Sequence, residues 1–133
     1  MGLELLNEVL EQTADRVVAS KTVTPADDYL RDHFPSFPVL PGVLMLETMV
    51  QAARRLIEPR DPQYARHVLG NVRALKYGAM VRPGHTLVVE VTLLKEPEPG
   101  RFDFKGVGTV RETPDQEPRV AVSGKFSLRP IND

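Results

Sequence analysis

The sequence predicts an α+β fold, one long apolar helix held against a curled antiparallel sheet. The helix follows from the run Val43 to Ile57, which has no breaker and begins just after Pro41-Gly42. The sheet follows from alternating apolar and polar residues in the second half, in segments separated by short polar turns. Its 133 residues suit a single domain, 1–133, large enough for a real core.

Taken in order, residues 3 to 23 are ambiguous. Leu3, Leu6 and Leu10 permit a helical start, while Arg16 to Val23 has the pattern of a strand. Two strands joined through Thr13-Ala14-Asp15 are the other reading. Thr24 to Asp28 reads as a turn or a short helical cap. Next comes a loop with Pro35, Pro38 and Pro41 at three-residue intervals, which stiffens the backbone around His33. Pro41 suits the first helical position. In the helix, Val43, Leu44, Met45, Leu46, Met49, Val50, Ala52, Ala53, Leu56 and Ile57 cover most of the circumference, so it should be buried on nearly every side. One carboxylate, Glu47, lies inside that apolar stretch. A buried carboxylate is costly unless paired or used, and Arg54 or Arg55 is within its reach. Glu58 to Pro62 ends the helix.

His67 to Lys76 is strand-like with an interruption at Gly70. Thr86 to Leu94 places Leu87, Val89, Val91 and Leu93 on one face. After a turn at Pro97-Glu98-Pro99-Gly100, Arg101 to Arg111 places Phe102, Phe104, Gly106, Gly108 and Val110 on one face. Thr113 to Pro118 turns again, and Val120, Val122, Gly124, Phe126 and Leu128 alternate along the last segment. Consecutive strands with short turns predict an antiparallel meander. The paired glycines near Phe104 should let the helix approach the sheet closely.

Composition excludes several functions. A net charge of −1 leaves no basic excess to neutralise phosphates, so no nucleic acid is expected. There are no cysteines, which removes disulfides and thiolate metal sites. No apolar run approaches the ~18 residues needed to span a membrane. No basic-then-apolar leader pattern is present, so a cytoplasmic location and no membrane partner are expected. His67 and His85 have no metal-ligand spacing and read as strand and turn residues.

The loop and helix start resemble the active-site segment of the 3-hydroxyacyl-acyl carrier protein dehydratases, the FabZ-type branch of the hotdog superfamily. The matching residues are His33-Phe34-Pro35, Pro38, Pro41-Gly42-Val43-Leu44, Glu47 and Gln51-Ala52. Similarity continues through Lys76-Tyr77, Val81-Arg82-Pro83-Gly84, Val89-Glu90-Val91 and Arg101-Phe102 to Lys105-Gly106. Asp32 and Ser36 replace glycines that flank the family's His-Phe-Pro, and little room precedes Arg16 for the family's N-terminal helix. The resemblance implies a hotdog fold and turns the ambiguous N-terminus toward strands. It also implies a homodimer or trimer of dimers, with His from one subunit and Glu from the other in each site.

The implied reaction is dehydration of a 3-hydroxyacyl chain on acyl carrier protein, without cofactor or metal. His33 suits removal of the C2 proton, since histidine titrates near neutrality. Glu47 suits protonating or orienting the C3 hydroxyl. The backbone N–H groups of Gly42 and Val43 suit the thioester oxyanion. Gln51, one turn after Glu47, suits hydrogen bonding to it. Phe34, Pro35 and Phe37 are expected at the substrate, with Tyr29 and Tyr77 in the core or tunnel wall. Arg73, Lys76 and Arg82 are expected to form a basic rim for an acidic carrier. A hotdog thioesterase and a catalytically silent acyl-binding subunit are the alternatives.

Overall fold

The structure, a computed structural model, describes residues 5–24 and 39–131. The turn at Thr24 to Asp28 beyond its first residue, Tyr29 and the loop through Pro38 lie outside the described residues.

The N-terminal ambiguity resolves to a hairpin, with strand β1 at Glu8–Gln12 and β2 at Arg16–Thr22 joined by residues 13–15. Helix α1 spans Gly42–Ile57. It runs on into two short 3-10 turns, Glu58–Arg60 and Pro62–Arg66, each with a proline, Pro59 or Pro62, in its first two positions that cannot extend the α-helical ladder. Strands β3 (Val68–Tyr77), β4 (Thr86–Glu98), β5 (Arg101–Val110) and β6 (Arg119–Arg129) follow. All pairings are antiparallel, in the order β1-β2-β4-β5-β6-β3.

Three expectations need correction. A meander over the whole second half does not form. β4, β5 and β6 are sequential neighbours, but β3 crosses to the far edge and pairs with β6. Alternation reports which residues share a face; it carries no information about which strand lies alongside. Pro41 is the cap residue, not the first helical one, with φ −59° and ψ 142°. Its extended ψ lets its carbonyl accept from the N–H groups of Leu44 and Met45, at 3.0 and 3.2 Å. Strand β4 also runs through Pro97 to Glu98, so the hairpin turn is confined to Pro99-Gly100. Gly100, with φ +80°, takes the left-handed position there.

The inner face of the sheet is built as alternation predicts. Leu87, Val89 and Val91 from β4, and Phe102, Phe104 and Val110 from β5, are buried with Val122, Phe126 and Leu128 from β6. Phe104 and Phe126 stack at 5.5 Å. Val120 departs from the pattern and is exposed, while Ala121 is buried. A register shift between Gly108 and Thr109 on the partner strand accompanies this reversal. Met45, Met49, Val50, Ala52, Ala53, Leu56 and Ile57 turn the helix onto this face. Gly106 permits the approach, because a Cβ there would stand 2.6 Å from Met49 Sδ. Gly108 faces Val122 and Leu87 of neighbouring strands, so only Gly106 serves the helix.

The helix is not buried on every side. Val43 is 68% exposed, and Leu44, Leu46, Glu47, Gln51 and Arg54 are half-buried. A single sheet covers one flank of a cylinder, and this flank looks away from it.

Candidate active site

The start of α1 supplies the first component. No side chain caps it, and no acidic residue occupies its first turn. The N–H groups of Gly42 and Val43 have no acceptor among the described residues. Two donors with no acceptor among the described residues, at the positive end of a 16-residue helix, can hold an oxyanion. The ring of Tyr77, at the end of β3, closes over this end. A Cβ on Gly42 would stand 2.9 Å from both Cε1 and Cζ of that ring. Tyr77 is 50% exposed, which places it at a surface and not in the core. Partial burial holds its phenol above the ordinary tyrosine range, so it stays a neutral donor.

One and a half turns along the helix stands Glu47. The expectation of a buried carboxylate is corrected, since its side chain is 39% exposed. It faces the uncovered flank and reaches an arginine, as the simplest reading of the sequence allowed. Arg54 Nη1 lies 3.8 Å from Glu47 Oε2. Gln51 Nε2 donates to the same oxygen at 3.3 Å, the bond expected from their one-turn spacing. Gln51 Oε1 in turn accepts from the backbone N–H of Leu5 at 2.8 Å. Gly42, Val43, Glu47 and Gln51 are thus brought onto one helix. His33, Phe34, Pro35 and Phe37 lie outside the described residues.

Two lysines stand beside Arg73 and Lys76, which the sequence marks as basic. Arg73 and Lys76 are exposed on β3, and Arg82 is exposed in the following loop. Register sets Arg73 opposite Lys125 on β6, and Lys125 opposite Lys105 on β5. Lys76, Lys105 and Lys125 surround a shallow hollow of about 180 Å³ together with Ala74, Ser123 and Gly124. No ion pair joins Arg73, Lys76, Lys105 or Lys125 to an acid among the described residues. Like charges directly across a sheet are destabilising, so their retention side by side needs a use. Lys105 and Lys125 are 20 positions apart, and only strand pairing brings them together.

Of the remaining histidines, His67 is tied into the fold. His67 is buried, with Nε2 2.6 Å from the Gly100 carbonyl oxygen and its ring edge-on to Tyr64 at 4.8 Å. His85 lies in the turn before β4. Among the described residues no cluster of three or more His, Asp or Glu side chains has metal-binding geometry. No helix among them is long and apolar enough to cross a membrane.

Comparison with known proteins places the chain in a family. The family model described as ApeI-like, ApeI dehydratase, matches residues 9–113. A 3-hydroxyacyl-(acyl-carrier-protein) dehydratase FabZ of Thermus thermophilus is 36% identical over 129 residues, 94% of this chain and 86% of the relative. An enzyme of the same name from Polaromonas naphthalenivorans is 37% identical over 115 residues, 81% of this chain and 77% of the relative. Among solved structures, the dehydratase heterocomplex ApeI:P of Xenorhabdus doucetiae superposes with TM-score 0.67 at 19% identity, covering 96% of this chain and 99% of that one. Zebra fish thioesterase superfamily member 2 reaches TM-score 0.67 at 14% identity, covering 92% and 80%. These last two likenesses speak to the fold alone, which is the hotdog fold.

Proposed function

Since the chain belongs to the ApeI-like dehydratase family, we propose that it dehydrates a 3-hydroxyacyl chain carried on acyl carrier protein to the trans-2-enoyl thioester, in fatty-acid or related acyl-chain biosynthesis. His33 takes the C2 proton. The electron pair passes through the thioester enolate, whose oxygen rests on the N–H groups of Gly42 and Val43. The C2=C3 bond then forms as the C3–O bond breaks, and the hydroxyl, oriented or protonated at Glu47, leaves as water. Phe34, Pro35 and Phe37 line the acyl chain's path. Arg73, Lys76 and Arg82 dock the acidic carrier, with Lys105 and Lys125 extending the basic surface.

The observation that carries this reading is the start of α1, where two N–H groups have no acceptor among the described residues, with Glu47 on the same helix. An oxyanion held there gains charge during the reaction, so fixed donors favour the transition state over the substrate. The exposed flank of α1 supports a dimer, in which a second subunit covers Val43 and Glu47 and brings its own His33 to the site.

Purified protein given 3-hydroxyacyl thioesters, on carrier protein and on a short pantetheine analogue, tests the proposal. Rising enoyl absorbance without free thiol is expected. Free-thiol release without enoyl product would instead assign a thioesterase. No turnover in either assay, with binding retained, would assign a silent acyl-binding subunit.

A further inference from the structure

The two oxygens of the Glu47 carboxylate are treated differently. Oε2 faces Gln51 Nε2 at 3.3 Å and Arg54 Nη1 at 3.8 Å. Oε1 has no hydrogen-bond partner among the described residues. Both side chains that attend Oε2 are themselves tied to backbone at their other ends. Gln51 accepts from Leu5 N–H at 2.8 Å, and Arg54 Nε donates to the His67 carbonyl at 3.0 Å. The anchors come from two separate segments, the N-terminal residues before β1 and the entry to β3. Among the described residues, Arg54 is the one charged group within ion-pair distance of Glu47.

We propose that Arg54 is a positioning residue which, with Gln51, holds Oε2 of Glu47 and leaves Oε1 to the substrate hydroxyl. The second half of that statement rests on the dehydratase reading above; the first half does not. A free carboxylate on a half-exposed helix rotates about its side-chain torsions. One anchored donor, Gln51, and one anchored cation, Arg54, beside the same oxygen restrict that freedom, and the remaining oxygen then presents its lone pairs in one direction. Arginine suits this task because its planar fork serves the His67 carbonyl and Glu47 from one rigid group. A lysine has the charge but a single head, and cannot serve both with the same geometry.

Two measurements test this. In nitrogen-15 spectra at low temperature, rotation of the Arg54 guanidinium should be slow in the wild-type protein. It should become fast in Glu47→Gln, whose neutral amide no longer holds Nη1. Unchanged rotation in Glu47→Gln overturns the proposal, whether or not the protein is a dehydratase. In the dehydration assay, Arg54→Met should lower kcat by about 10-fold with KM unmoved, because orientation is lost and binding is not. Arg54→Lys should restore part of that loss. In a Glu47→Gln background, Arg54→Met should add no further loss, since the carboxylate it positions is gone. Equal, additive losses in both backgrounds, or a rise in KM alone, overturn it. Wild-type protein that turns over no 3-hydroxyacyl substrate removes the dehydratase reading and leaves the spectra to decide the hold on Glu47.

Discussion

The Tyr77 ring rests against the Cα of Gly42, joining the last residue of β3 to the first of α1. A side chain at position 42 would meet the ring at 2.9 Å. Gly42→Ala should therefore push the ring off the helix start, or tilt the helix start itself. We expect turnover to fall by on the order of 10²-fold, a usual result of displacing a donor by about 1 Å. Because Tyr77 is half-exposed and able to swing outward, the melting temperature should change little. The double change Gly42→Ala, Tyr77→Ala should recover much of the activity. No recovery would show that the added methyl acts on the backbone and not through the ring.

The phenol of Tyr77 gives a pH signature. Its pKa is raised by desolvation, so the folded protein holds this proton more tightly than the unfolded chain does. The associated stability is complete below the unfolded value near 10 and is lost as pH rises through the folded one. An ultraviolet titration should show one tyrosine ionising late, and Tyr77→Phe should remove that component. A titration curve unaltered by Tyr77→Phe would contradict the assignment.

His33 and Glu47 are predicted to act from different subunits. His33→Ala and Glu47→Gln proteins should each lose on the order of 10²–10⁴ in turnover. Co-expressing the two should restore activity, since one site per mixed dimer then holds an intact pair. Verified mixed dimers without activity would place both groups in one chain. Monomeric protein at micromolar concentration that still turns over substrate would remove the shared site altogether.

The basic surface predicts a difference between substrates. Reversing Lys105 and Lys125 together with Arg73 and Lys76 should weaken turnover of carrier-bound substrate well beyond that of a pantetheine analogue. High salt should imitate the effect. Equal losses on both substrates would indicate damage to the fold instead.

Helix and sheet meet most closely at Gly106. Gly106→Ala should destabilise by about 1–3 kcal/mol, because Met49 is fully buried and has little space to yield. Met49→Ala alone should cost about 2–5 kcal/mol. Together they should cost clearly less than the sum, as the new methyl fills part of the space left by Met49. Denaturant unfolding of the three variants checks this, and strict additivity would argue against the contact.

Much of this was legible before any coordinates. Period-two alternation over Leu87 to Val91 and over Phe102 to Val110 is local, and burial follows it there residue by residue. The helix start at Pro41-Gly42 and the Glu47–Gln51 bond are equally local, set by 3.6 residues per turn. What escaped depends on distant partners. The place of β3 beside β6 is decided by a crossover that leaves no mark on Val68–Tyr77 itself. Glu47 was expected to be buried because helix periodicity shows how much of a surface is apolar, not which flank the sheet will cover. Nothing local in the sequence marks Lys105 and Lys125 as neighbours; only strand register sets them side by side.

The strand order also sets a sequence of events during synthesis. Helix α1 leaves the ribosome before β4, β5 and β6, the strands that supply the wall for Met49 and Leu56. Strand β2 waits for β4, and β3 waits for β6, whose last residue is Arg129. A nascent chain halted after Val110 therefore carries its most apolar helix and an unpaired β3 at once. Such species are prone to capture by chaperones or by one another. For this protein the hazard lies in the order of manufacture, and it ends only with the closing of the final strand.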